Sequence, residues 1–104
     1  MSRVWDASES TVSRRGLFRF RIYVAGDALN SAQALANLDA LCRAHLPARH
    51  EVEIIDVFRE PKLAMADGIF MTPTLVKIAP APIRRIVGTL SQTERVLRAL
   101  GLPT

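Results

Sequence analysis

A proline set directly in front of a β-branched apolar run constrains this chain more than any other feature. Thr72-Pro73-Thr74 precedes Leu75-Val76-Lys77-Ile78. Proline has no N–H to give a β-ladder, so Pro73 stands at the start of that strand and not inside it. An X-Pro bond at such a tight approach is where a cis peptide is tolerated. An ordinary turn with a trans proline is the commoner use of these residues. The elements around them decide between the two.

The chain alternates first at Phe18-Arg19-Phe20-Arg21-Ile22-Tyr23-Val24. Phe18, Phe20, Ile22 and Val24 face one way, with Arg19, Arg21 and Tyr23 on the other, which predicts a half-buried strand. Ala25-Gly26-Asp27 breaks it. Asn30, with Gln33 three residues on, predicts a capped helix start. Leu35, Leu38, Leu41, Cys42 and His45 or Leu46 give that helix one apolar face, and Pro47 ends it. Val52 to Phe58 is more continuously apolar and predicts a central parallel strand covered on both faces. Together these make a right-handed βαβ unit. Pro61 to Asp67 reads as a short helix closed by Gly68. Leu75 to Ile78 and Ile83 to Val87 form a hairpin across Ala79-Pro80-Ala81-Pro82. Ser91 and Glu94 predict a capping box for a last helix with Val96, Leu97 and Leu100 inward, ended by Gly101 and Pro103.

That order, β-α-β-α-β-β-α with proline before the third strand, is the thioredoxin-like arrangement of an α/β chain. It tips Thr72, Pro73 and Thr74 towards a cis-proline loop. With 104 residues, 49% of them apolar, the chain makes one domain with a modest core. Residues 1–16 are polar and mixed and read as a flexible basic N-terminal arm; 17–104 form the domain. Trp5, in the arm, is expected to be exposed or loosely packed. No apolar run nears the roughly 20 residues that span a bilayer, and no signal peptide is visible. A single cysteine excludes an internal disulfide and fits a cytoplasmic setting.

The chemistry of thioredoxin-like enzymes is missing. They place a nucleophilic cysteine at the start of the first helix, where the helix dipole lowers its pKa. Here the stretch is Asp27-Ala28-Leu29-Asn30-Ser31-Ala32, and Cys42 lies three turns further on, on the apolar face, as a core thiol. Dithiol exchange needs two thiols. Ser31 could donate a hydrogen bond to a glutathione thiolate, although capping is the commoner role of a serine there. Asp56 and Glu60 read as caps and salt-bridge partners before paired catalytic carboxylates. His45 and His50 are isolated surface residues and make no metal site. No metal, cofactor or catalytic residue is expected. The net charge of +4 suits an acidic partner, protein or nucleic acid, or plain solvated surface. A nucleic-acid binder would use Arg19, Arg21, Arg84 and Arg85, but aromatic content of 6% leaves little to stack bases on.

Several stretches resemble one family closely. Phe20 to Gly26, then Asn30-Ser31 and the Ala/Leu-rich helix, resemble the opening of KaiB circadian clock proteins. So do Ile54-Ile55-Asp56-Val57 and Glu60-Pro61-Lys62-Leu63-Ala64. Thr72 to Gly88 is similar to the family's central run, and Ser91 to Leu97 continues it. The likeness covers about residues 18 to 100. Departures are Pro80-Ala81-Pro82 in place of a triple proline, Gly88-Thr89-Leu90-Ser91 in place of Gly-Asp-Leu-Ser, the lack of an acidic C-terminal tail, and the basic arm. The chain thus resembles a divergent member. The resemblance implies a non-enzymatic, cytoplasmic timing protein that binds and regulates a KaiC-like ATPase. A KaiA-like protein, or a KaiB-like sensor domain of a histidine kinase, would compete for the same site, with no nucleic acid and no membrane. It also implies fold switching: a monomeric thioredoxin-like binding form, and a dimer or tetramer at rest with a rearranged C-terminal half. Within the best-matched stretches, charge points to Lys77, Arg84 and Arg85, with Lys62 and Asp56 nearby, as partner-binding residues.

Overall fold

The computed structural model describes residues 16–103. Its elements are β1 (Phe18–Val24), α1 (Leu29–His45), β2 (His50–Asp56), α2 (Pro61–Ala66), β3 (Thr74–Ala79), β4 (Arg84–Val87) and α3 (Thr93–Leu100). This is the expected order. The expectations for the arm up to residue 15, and for Trp5, fall outside the described residues.

The four strands form one sheet in the order β2-β1-β3-β4. β1 and β2 run parallel, with Phe20 opposite Val52 and Ile22 opposite Ile54. β3 is antiparallel to both of its neighbours, with Leu75 opposite Ile22 on one side and Ile86 on the other. The Thr72–Pro73 peptide is cis, as are Ala79–Pro80 and Ala81–Pro82 in the hairpin turn.

Two expected roles are exchanged. β1 is the strand covered on both faces: Phe20 and Ile22 are fully buried on one side and Tyr23 on the other. β2 is an edge strand, with Val52 38% and Ile54 56% exposed. An apolar run reads the same whether its strand lies in the centre or packs one face at an edge. Only the pairing order separates the cases, and β3 inserts beside β1 on the side away from β2. β2 also starts at His50 and stops at Asp56, because the Asp56 carboxylate takes the N–H of Phe58 (3.0 Å) and turns the chain there.

Phe18, Phe20, Ile22, Val24 and Leu75 pack with Ala34, Leu38, Leu41 and Leu46 from α1 and its end, and with Val96, Leu97 and Leu100 from α3. Each large buried side chain here stabilises the fold by roughly 1.5–3 kcal/mol. The opposite face holds a smaller cluster of Tyr23, Ile55, Ala64 and Val76 under α2.

Neither expected capping box forms. α1 begins at Leu29 after Ala28, and α3 at Thr93 after Gln92, both without a side-chain cap. Packing of their apolar faces outweighs capping, which contributes only about 1 kcal/mol. The C-terminal signals act as read. Gly101 adopts a left-handed conformation with φ of +80°, where its amide reaches the Arg98 carbonyl at 3.1 Å.

Candidate docking surface

Charge is concentrated on the α2 face of the sheet and at β4. On the α2 face, the parallel register sets Arg19 opposite Glu51 and Arg21 opposite Glu53. Arg21 donates to Glu53 Oε1 and to Asp67 Oδ2, both at 3.0 Å. Tyr23 donates its hydroxyl to the same Asp67 oxygen. Burial opposes the charge on Arg21, yet bonds with Tyr23, Glu53 and Asp67 outweigh it and raise the guanidinium pKa. Burial, then the bond to Asp67, pushes the Tyr23 phenol up to about 12. The Tyr23 bond, reinforced by Arg21, holds Asp67 below the usual carboxylate range. Asp67 sits at the C-terminal end of α2, so the network ties α2 to β1 and β2.

β4 joins from the other side. Arg85 donates to the carbonyls of Asp67 and, at 3.3 Å, Gly68. A guanidinium at a helix C-terminus satisfies carbonyls left without intrahelical partners. Arg84 projects from the opposite face of β4, in register with Lys77.

The five charged residues marked by the sequence therefore do not form one patch. Lys77 is 3% exposed. Its ammonium donates to the Leu100 carbonyl at 3.2 Å and lies 5.7 Å from the Phe18 ring centroid. Burial, and then Arg84, lower its pKa. Asp56 accepts the N–H of Gly26 (3.1 Å) and of Phe58, pinning two loops, and pairs with Arg59 at 3.8 Å. Lys62 is exposed on α2. Arg84 and Arg85 are both exposed on β4. Pro73 is buried, and the Thr74 hydroxyl donates to the Met71 carbonyl at 2.6 Å, which fixes the Thr72-Pro73-Thr74 loop.

Arg95 escaped the sequence reading, and so did the Tyr23–Asp67 pair. One signal for the network was present: arginines at 19 and 21 and glutamates at 51 and 53 share a period of two, which a parallel pairing aligns.

Other expected chemistry is used up within the fold. The Ser31 hydroxyl is buried and accepts the Ala25 N–H at 3.0 Å, so it caps the turn before α1 and is closed off from solvent. Cys42 is buried, as expected, and burial and then Asp39 push its thiol up to about 11. His50 is half-buried, its Nδ1 2.7 Å from the Leu46 carbonyl. Among the described residues no cluster of histidine, cysteine and carboxylate could hold a metal ion. No helix among them is long and apolar enough to cross a membrane. Arg19 and Arg21 lie in ion pairs on the α2 face while Arg84 points to the other, so the four arginines of a nucleic-acid site are split between faces.

What remains open is β4 itself. Among the described residues its far side has no strand neighbour. Beside it a groove of about 550 Å³ runs towards α3, with Ile86, Thr89, Ser91, Gln92 and Arg95 among its walls over the buried Leu90 and Val96.

Comparison with known proteins assigns most of the chain to one family. The KaiB domain profile matches residues 21–102. The chain is 43% identical over 82 residues to circadian clock protein KaiB3 of Synechocystis sp., covering 79% of this chain and 80% of that protein. It is 44% identical over 91 residues to a circadian clock oscillator protein KaiB of Prochlorococcus marinus, covering 88% and 76%. Among solved structures it is similar to the N-terminal domain of Synechococcus elongatus SasA, with a TM-score of 0.68 at 19% identity, covering 82% of this chain and 84% of that one. It is similar also to chloroplastic thioredoxin z, with a TM-score of 0.66 at 21% identity, covering 86% and 84%. These two likenesses show the fold, which is thioredoxin-like.

Proposed function

The chain belongs to the KaiB family, whose clock proteins are non-enzymatic regulators, and on that premise we propose that it docks onto a KaiC-like ATPase and regulates it. The observation that carries this reading is the open β4 side of the fold, where charge and apolar surface face outward together. Arg84 and Arg85 stand on the strand, Arg95 stands beside it, and the groove alongside mixes apolar Ile86 and Val87 with polar Thr89, Ser91 and Gln92. In this reading Arg84 and Arg85 meet the partner, and Lys62 adds charge from α2. Asp56 and Lys77 hold the frame from beneath. The unit that docks is the domain at 17–104, as a monomer, in the cytoplasm. A KaiA-like protein or a KaiB-like sensor domain of a histidine kinase competes at the same place.

The experiment is capture of a purified KaiC-like ATPase by the immobilised full chain, in ATP and in ADP. Specific capture that differs between the nucleotides is expected. Glutathione binding that is lost in Ser31→Ala, with no capture, would replace docking by thiol-ligand binding. Steeply salt-dependent nucleic-acid binding with no capture would replace it by a nucleic-acid role.

A further inference from the structure

We propose that the free edge of β4 and the groove beside it take an extended acidic segment of a partner protein, which adds to the sheet as a fifth strand. This rests on the reading of the chain as a docking protein and adds the partner's chemistry and its mode of contact.

The ladder fixes which groups are available. The Gly88 N–H reaches the Pro73 carbonyl at 2.9 Å. Hydrogen-bonded and non-bonded pairs alternate along an antiparallel ladder. Ile86 with Leu75 and Arg84 with Lys77 are then the bonded pairs. Arg85 and Val87 turn their main-chain N–H and C=O away from β3, towards the open side. Two outward residues, two apart, are what an added strand needs.

This edge is guarded only by its four-residue length and by Arg84 and Arg85 among the described residues, so it admits a short strand of opposite charge. Proteins blunt edges with bulges, prolines, a covering element or a charge held over the strand. The register shift of this sheet lies between β1 and β3, at Arg19 and Phe20. Pro80 and Pro82 precede β4. Arg85 is folded back onto the end of α2. Ile83 and Val87 are 63% and 53% exposed, so the flanks are apolar.

Charge selects the occupant. Arg95 and Arg85 line the groove, and among the described residues no acidic one lines it. Arg84 stands across from Lys77, like charge to like. An acidic side chain entering beside them meets the exposed guanidiniums of Arg84 and Arg95, and alternate apolar side chains meet Ile86 or Val87. A second copy of this chain would bring its own Arg84 and Arg85 against these, which like-charge pairing disfavours. A nucleic-acid strand would find no aromatic residue to stack on among the described residues of the groove.

The test is a titration of the ¹⁵N-labelled full chain followed by amide shifts. The probes are a hexapeptide of alternating valine and glutamate, its valine–lysine counterpart, two forms of the acidic peptide N-methylated along one edge or the other, and a short oligothymidylate. The acidic peptide should shift the amides of Arg85 and Val87 most and slow their exchange with solvent. One N-methylated form, and Arg95→Glu in the protein, should each weaken it by about tenfold or more, with the thermal unfolding of the variant unchanged. Equal shifts from the lysine peptide or the oligonucleotide would overturn the proposal, as would undiminished binding of both N-methylated forms or shifts confined to β2. Peptide binding at β4 without capture of the ATPase would leave this proposal standing and remove the KaiC-like partner. Capture with no response to the acidic peptide would do the reverse.

Discussion

The two edges of the sheet handle charge in opposite ways. On the β2 side each arginine of β1 faces a glutamate: Arg19 and Glu51 are 3.9 Å apart, Arg21 and Glu53 3.0 Å. On the β4 side Lys77 faces Arg84, and burial together with that neighbour disfavours the lysine's charge. Opposite charges paired across strands stabilise by roughly 0.2–1 kcal/mol, and like charges directly opposite destabilise. The β2 side therefore pairs its charge internally, although the buried Glu51 Oε1 takes no hydrogen bond, whereas on the β4 side Arg84 keeps positive charge that the described residues do not pair. The first arrangement serves stability. The second is held in place by the core beneath it and is available to a partner.

The largest expected effect tests that contrast directly. Arg21→Ala removes one guanidinium from two carboxylates in half-buried surroundings and should cost about 2–3 kcal/mol in urea unfolding. Arg84→Ala should stay within about 0.5 kcal/mol of the parent. Equal losses would erase the difference between the edges.

Asp67→Asn comes next, at about 1–2 kcal/mol near neutral pH, since it weakens bonds to Tyr23 and Arg21 together. Its pH dependence has a definite sign. The folded pKa of Asp67 lies below its unfolded value of about 3.9, so its contribution is complete above that value and fades as pH falls through the folded one. Parent and variant should converge in acid. A gap that persists there would assign the loss to packing.

Cys42→Ser concerns the core that both edges share. It should cost about 1 kcal/mol, because a hydroxyl replaces a buried thiol. With the thiol pushed up to about 11 and buried, its reaction with a disulfide reagent near neutral pH should follow opening of the fold. Fast labelling of the native protein would place it at the surface.

The smallest change is expected for Lys77→Met, within about 1 kcal/mol, since loss of the bond to Leu100 is offset by removal of a buried charge. The depressed pKa of Lys77 means that the parent gains stability as pH rises from the folded value to the unfolded one near 10.4. The variant should lack that gain, and an identical alkaline profile would contradict it.

Much of this architecture is legible in the residues. Pro73 before a β-branched run, the alternation of Phe18 to Val24 and the closing Gly101 each act locally, and local signals placed the elements. Strand order is not local: the run from Val52 to Phe58 could not tell that β3 would take the other side of β1. The capping boxes at Asn30 and Ser91 were outweighed by packing of Leu38, Leu41, Val96 and Leu97. Lys77 looked like surface charge because Phe18 and the end of α3, which enclose it, are far away in sequence. The second role of Arg85, satisfying the carbonyls of Asp67 and Gly68, was hidden for the same reason, since they lie on another element.

The most direct test of docking through β4 is the affinity and association rate of the full chain for a KaiC-like ATPase, measured by surface plasmon resonance at low and high salt. Arg84→Glu with Arg85→Glu would be compared with Ile54→Lys on the β2 edge, all checked for folding by circular dichroism. The double variant should lose about tenfold or more in affinity, largely through slower association at low salt, with Ile54→Lys near the parent. Unchanged binding in the double variant, with binding lost in Ile54→Lys, would contradict it and move the docking edge to β2.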